Sequence, residues 1–143
     1  MSPRIVVGVD GSSGADRALQ FALEEAKRRG ARLDVVLAWG LLDQPGVPEK
    51  AVFDPGFEED DARAIIAAAL ERVGADPDVE THLVPVLDLP ARALLDQARG
   101  ADLVVVGARG LGGFRGLLLG SVSQQVVNHA PCPVVIVRER AEP

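Results

Sequence analysis

Short, uninterrupted apolar runs alternate along the chain with longer stretches whose apolar residues return every three or four positions. RIVVGV (4–9) after Arg4 and ADLVVVG (101–107) after Asp102 are continuously apolar and rich in β-branched residues, the pattern of strands covered on both faces. RLDVVLAW (32–39) and CPVVIV (132–137) predict two further strands. In DVETHLVPV (78–86) the spacing of Val79, Thr81 and Leu83 predicts another, and Pro85, which cannot donate to a ladder, places it toward a sheet edge.

Between these runs the period changes. Ala15, Ala18, Leu19, Ala22 and Ala26 mark one face of a helix, with Ser12 or Ser13 available as N-cap. Asp16 in its first turn and Lys27, Arg28 and Arg29 in its last complement the helix dipole before Gly30 closes it. A second helix opens on the acidic cluster 58–61, turns Ala62, Ile65, Ile66, Ala69, Leu70 and Val73 inward, and ends at Gly74. Asp88 is the expected cap of a shorter helix carrying Ala91, Leu94, Leu95 and Ala98 inward. Ser121 to about Ala130 predicts a fourth helix with Val122, Val126 and Val127 inward. GLLDQPGVPEKAVFDPG (40–56), with three prolines, three glycines and no sustained period, reads as a long loop.

Strands alternating with helices at these lengths predict an α/β, Rossmann-like open sheet, mostly parallel, with helices on both faces and right-handed crossovers. At 143 residues, 48% of them apolar, the chain is expected to form a single domain over 1–143. In such sheets ligands bind beyond the carboxyl ends of the strands, where the strand order reverses. Asp10, Ala38–Trp39 and Gly107 onward all occupy such ends, so they are expected to converge.

Charge narrows the function. A formal charge of −6, from 21 acidic against 15 basic residues, repels nucleic acid and anionic membrane surfaces. No stretch approaches the apolar length of a membrane span, and MSPRIVVGVDG has the form of neither a signal peptide nor a transmembrane helix, so a cytoplasmic location is expected. Cys132, the single cysteine, has no intramolecular disulfide partner and is expected to be a buried thiol at the mouth of the last strand. His82 and His129 read as solvated or hydrogen-bonded side chains.

The residue pattern that asks for chemistry is GARGLGGFRGLLLGS (107–121), with six glycines and two arginines between a strand and a helix. Glycine loses more freedom on folding than any other residue, so such a loop is costly unless backbone must approach a ligand. It is no Walker loop, because Lys27 and Lys50, the only lysines, stand beside no glycine–serine pair. Nor is GVDGSSG a dinucleotide fingerprint, since Asp10 occupies the position of the second glycine. LGSVS lacks the final glycine of a hydrolase elbow. There remain loop amides, a helix N-terminus, and the Ser121 and Ser123 hydroxyls, all able to donate to phosphate oxygens, with Arg109 and Arg115 adding charge. A solvated glycine loop without a ligand is the alternative at this stage.

The spacing of Gly107, Gly110 and Gly120–Ser121, with IVVGVDGS at the front and GSVSQQVVNHAPCPVVIV at the end, resembles the G-2x-G-9x-G-[ST] signature of ATP-binding universal stress proteins. The resemblance covers essentially the whole chain. It implies a five-stranded sheet of order 3-2-1-4-5, a homodimer through the C-terminal strand, and ATP as ligand together with Mg²⁺. It also implies that Val9 and Asp10 border the nucleotide and that Ala38 meets adenine through its backbone. Val106 and Gly107 then lie beside ribose and base, while Gly110, Gly120, Ser121, Val122 and Ser123 hold the phosphates. Arg109 lies inside the motif and adds to the set. Leu37 departs from the His common in many members at this point.

No catalytic residue and no protein metal ligand is assigned. Asp10 could orient water or a hydrated metal, or could instead cap the following turn or contact ribose. The expected function is therefore nucleotide-dependent regulation in a stress response, with an unidentified protein partner; a slow ATPase and a nucleotide-free interaction protein are the alternatives.

Overall fold

A computed structural model of the chain describes residues 2–39, 56–109 and 119–138. Its elements, in chain order, are β1 (Arg4–Gly8), α1 (Ser13–Arg29), β2 (Arg32–Trp39), α2 (Glu59–Val73), β3 (Thr81–Leu87), α3 (Pro90–Gln97), β4 (Leu103–Gly107), α4 (Ser121–His129) and β5 (Val134–Val137). The expected α/β fold is observed. All paired strands are parallel and lie in the order β3-β2-β1-β4-β5.

The register explains why the central strands are apolar throughout. Ile5 lies beside Leu33 and Leu103, and Val7 beside Val35 and Val105, all facing the side covered by α1 and α2. Val6, Val36, Val104 and Val106 face the other side, where α3 and α4 contribute Ala93, Leu94 and Val126. Both faces are buried, so alternation disappears from the sequence. Against the sheet, α1 presents Ala15, Ala18, Ala22 and Ala26, side chains small enough for a close approach. Its N-cap is Ser12, whose hydroxyl accepts the Ala15 N–H at 3.2 Å, and Gly30 ends it.

The amino ends of the strands are clasped by ions. Asp34 is 4% exposed and accepts from Arg32 at 3.0 and 3.1 Å and from Arg4 at 3.1 Å. Arg4 also donates to the Arg99 carbonyl, and its backbone N–H to Asp102, each at 2.7 Å. This clasp ties β1, β2 and the entry to β4 together at the end opposite the strands' carboxyl termini.

Several sequence expectations shift. Leu89, not Asp88, is the N-cap of α3, because Pro90 supplies the first helical residue without needing an N–H acceptor. Asp88 instead accepts the Leu89 N–H at 2.7 Å and faces Arg92 at 3.5 Å. Val127 is 44% exposed rather than inward, since Ser123 and Val126 occupy the buried stripe of α4. Val79 is buried but precedes β3, and the last strand begins at Val134, two residues after Cys132. Pro85 does lie on an edge strand: it sits beside Leu37 of β2, and among the described residues β2 is the sole neighbour of β3. The predicted 40–56 loop lies, but for Gly56, outside the described residues.

Candidate functional site

Chain direction creates the site. From β1 the chain crosses to β2 and then β3 on one side, and from β3 it returns past β1 to β4, so the order reverses between β1 and β4. The carboxyl ends of those strands part there and leave a crevice.

On the β1 side, the Val9 N–H still donates to the Val36 carbonyl at 2.9 Å, which holds the strand end straight. Gly11 then turns the chain with φ of 87°, a conformation that side-chain-bearing residues seldom adopt. The Asp10 carboxylate accepts the Ser12 N–H at 2.9 Å, the capping role weighed for it from sequence. Asp10 thereby stabilises the turn that starts α1.

Across the crevice, β4 and α1 touch through two glycines. A Cβ on Gly107 would lie 3.0 Å from the Gly14 carbonyl oxygen and 3.2 Å from its carbon. A Cβ on Gly14 would lie 3.0 Å from the Arg109 carbonyl oxygen. Backbone therefore meets backbone, and the first turn of α1 is seated directly on the end of β4. Gly14 was missed by sequence reasoning, because its need to be bare arises from the Arg109 carbonyl, far off in the chain.

Ala108 joins three elements. Its N–H donates to the Val137 carbonyl of β5 at 3.0 Å. Its carbonyl accepts the Gly120 N–H at 2.7 Å and the Ser123 hydroxyl at 2.8 Å. Ser123 is 3% exposed, so its hydroxyl is turned into the protein and serves to bind α4 to β4. No sequence signal distinguished Ala108, because both its roles belong to its backbone.

At α4 the first intrahelical donor is the Gln124 N–H, which reaches the Gly120 carbonyl at 3.0 Å. The N–H groups of Ser121, Val122 and Ser123 precede it and have no intrahelical acceptor. Ser121 is exposed, and with half-buried Val122 it also lines a groove of about 550 Å³ between α3 and α4. These amides, with the positive end of the helix dipole, can bind an anion.

Thus Val9, Asp10, Gly107, Arg109 and Gly120–Ser123 stand around the switch point. Ala38 is at the carboxyl end of β2, one strand farther out, level with Val86 of β3. Val106, 4% exposed, packs into the core beneath α3 and α4. Gly110 lies outside the described residues. Cys132 is remote from the crevice; burial pushes its thiol pKa up, opposed by the field of Arg4. Among the described residues, no group of three or more His, Cys, Asp or Glu side chains is placed to hold a metal, and no helix is long and apolar enough to cross a membrane.

Comparison with known proteins bears on this geometry. Residues 1–138 match the model of the universal stress protein family. A universal stress protein of Mycobacterium tuberculosis is 39% identical over 142 residues, covering 97% of this chain and 45% of the relative, so the chain spans about half the length of such relatives. Among solved structures, universal stress protein UspA from Lactobacillus plantarum is 25% identical with a TM-score of 0.77, over 95% of this chain and 97% of that one. A universal stress protein in complex with cAMP is 31% identical with a TM-score of 0.68, over 94% and 95%. The Archaeoglobus fulgidus protein in complex with dAMP is 26% identical with a TM-score of 0.61, over 96% and 98%.

Proposed function

The chain belongs to the universal stress protein family, and from that premise we propose that it is an ATP-binding regulatory protein of the stress response, acting as one domain over 1–143 in the cytoplasm. One observation carries the reading: the amides of Ser121, Val122 and Ser123, which have no acceptor within their helix, open α4 beside the carboxyl end of β4, to which the Gly120 N–H and the Ser123 hydroxyl are tied through the Ala108 carbonyl, and an anionic ligand there would supply their acceptors. Solved relatives in complex with cAMP and dAMP support a nucleotide as that ligand. The base then lies toward Val9, Ala38 and Gly107, and the phosphates lie along Gly110 and Gly120–Ser123, with Arg109 supplying charge. Mg²⁺ bound with the triphosphate would neutralise phosphate charge and would be held chiefly by phosphate oxygens and water, which asks for few protein carboxylates.

The nucleotide acts through a protein partner that distinguishes the bound from the free state. A second copy is the nearest such partner. Val134–Val137 of β5 are all half-buried, paired with β4 on one side and at the sheet edge on the other. The opposite edge, β3, is blunted by Pro85 and by exposed His82. Self-pairing is therefore assigned to β5.

Denaturing the freshly purified protein and identifying released nucleotide by mass spectrometry, with calorimetric titration of the stripped protein, tests the ligand. Copurified ATP, or ATP binding with Mg²⁺, is expected; tighter binding of cAMP or AMP would replace ATP, and no nucleotide binding would refute the reading. Sedimentation over a concentration series tests the dimer, and a monomer at micromolar concentration would remove it.

A further inference from the structure

We propose that Ser123 is a positioning residue of the phosphate cradle, working through the Ala108 carbonyl and making no contact with the nucleotide through its hydroxyl. The inference rests on the nucleotide reading above and revises how one residue serves it.

Ser123 has one hydroxyl proton. It is 2.8 Å from the Ala108 carbonyl and 3.1 Å from the Gly120 carbonyl, inside the first turn of α4. With Ser123 3% exposed, that proton goes to one of these two carbonyls, of which the Ala108 oxygen is the nearer. The Gly120 N–H reaches the same Ala108 oxygen at 2.7 Å. Two donors on either side of the Ser121 and Val122 amides are thus anchored to one carbonyl. That carbonyl has little freedom of its own, because the N–H of Ala108 is held by Val137 of β5 at 3.0 Å.

The arrangement sets the direction of the cradle. The amides of Ser121, Val122 and Ser123 can meet a phosphate together only while the first turn of α4 keeps its angle to β4. Helix ends fray readily, and Gly120 brings no side chain to cap this one. The Ala108 latch replaces the cap from outside the helix. Losing the Ser123 hydroxyl leaves the Ala108 oxygen still paired with Gly120, so no buried acceptor is orphaned. The damage is confined to the angle and order of the turn.

The test compares the unmodified protein with Ser123→Ala, Ser123→Thr and Ser121→Ala. Hydrogen exchange of the Gly120 amide is followed without nucleotide, and binding of ATP and of adenosine is measured by calorimetry. Ser123→Ala is expected to speed Gly120 exchange about tenfold, weaken ATP about tenfold and leave adenosine unaffected. Ser123→Thr, which keeps the hydroxyl, restores both exchange and ATP affinity. Ser121→Ala weakens ATP without changing the exchange of the free protein.

Weakened ATP binding with unchanged Gly120 exchange would overturn the proposal in favour of direct contact by the hydroxyl. Faster exchange with unchanged ATP affinity would also overturn it, since the latch would then not shape the cradle. If the unmodified protein binds neither ATP nor adenosine, the nucleotide reading itself fails, and the positioning role fails with it. That outcome is distinct from either result in which the unmodified protein binds.

Discussion

Replacing Gly107 by alanine tests the contact on which the crevice is built. The new Cβ would sit 3.0 Å from the Gly14 carbonyl oxygen and 3.2 Å from its carbon, both backbone atoms that cannot rotate away. An unstrained contact needs about 3.5 Å, so α1 and β4 must separate by roughly 0.5 Å. Yielding is resisted because α1 is seated through Ala15, Ala18, Ala22 and Ala26, all 5% exposed or less. Overpacking of this kind costs about 1–3 kcal/mol, and the lower unfolded-chain entropy of alanine returns about 0.4–1 kcal/mol, since Gly107 does not require a positive φ. A net loss of between about 0 and about 2.6 kcal/mol is expected. Because Gly107 and the start of α1 line the same crevice, nucleotide affinity should fall as well, by about tenfold if the displacement costs about 1.4 kcal/mol of binding.

Urea unfolding followed by circular dichroism gives the first quantity and calorimetric titration the second. Gly74→Ala is the control. Its φ of 81° at the C-cap of α2 makes it destabilising, yet it lies outside the crevice and should leave affinity unchanged. A Gly107→Ala protein with unchanged unfolding midpoint and unchanged affinity would refute the reasoning, because backbone contact at this point would then neither stabilise the fold nor shape the site.

Ser121→Ala should weaken ATP by about 1–3 kcal/mol if its exposed hydroxyl makes a charge-assisted phosphate bond; equal affinity by titration would leave binding to the backbone alone. Phosphate release with Mg²⁺ should be slow and only partly reduced by Asp10→Asn, since the Asp10 carboxylate accepts from Ser12; several turnovers per second, abolished by that change with binding intact, would establish an ATPase. Asp34→Ala should destabilise the fold by about 2–4 kcal/mol in urea, somewhat below the cost of a fully buried broken pair because Arg32 and Arg4 can rehydrate. Cys132 should react with a disulfide reagent more slowly than a free thiol at pH 8, its raised pKa keeping it protonated, and the rate should climb as pH approaches and passes that pKa.

The elements were legible because their signals are local. A strand buried on both faces must be apolar at every position, as Ile5, Val6 and Val7 are, and a helix on a sheet must repeat its small residues, as Ala15, Ala18, Ala22 and Ala26 do. Capping by Ser12 and closure by Gly30 are likewise written within a few residues. The candidate site was legible where a residue type permits close backbone approach, as at Gly107, against which the Gly14 carbonyl packs.

Periodicity alone did not decide which way a side chain turns at the edge of its face. Val127 fits the apolar spacing of α4 and still points outward, because the Ala108 carbonyl draws Ser123 into the stripe the helix buries. Nor does any single segment announce that Gly14 must be bare: that follows from β4 arriving against the start of α1 after a crossover of the chain. Ala108 is the clearest case. Its methyl group carries no information, and its importance lies in an N–H given to Val137 and a carbonyl shared by Gly120 and Ser123. Every residue but proline offers those backbone groups, so the chain spells out where its strands and helices form, while their packing alone chooses which peptide among them joins β5 to α4.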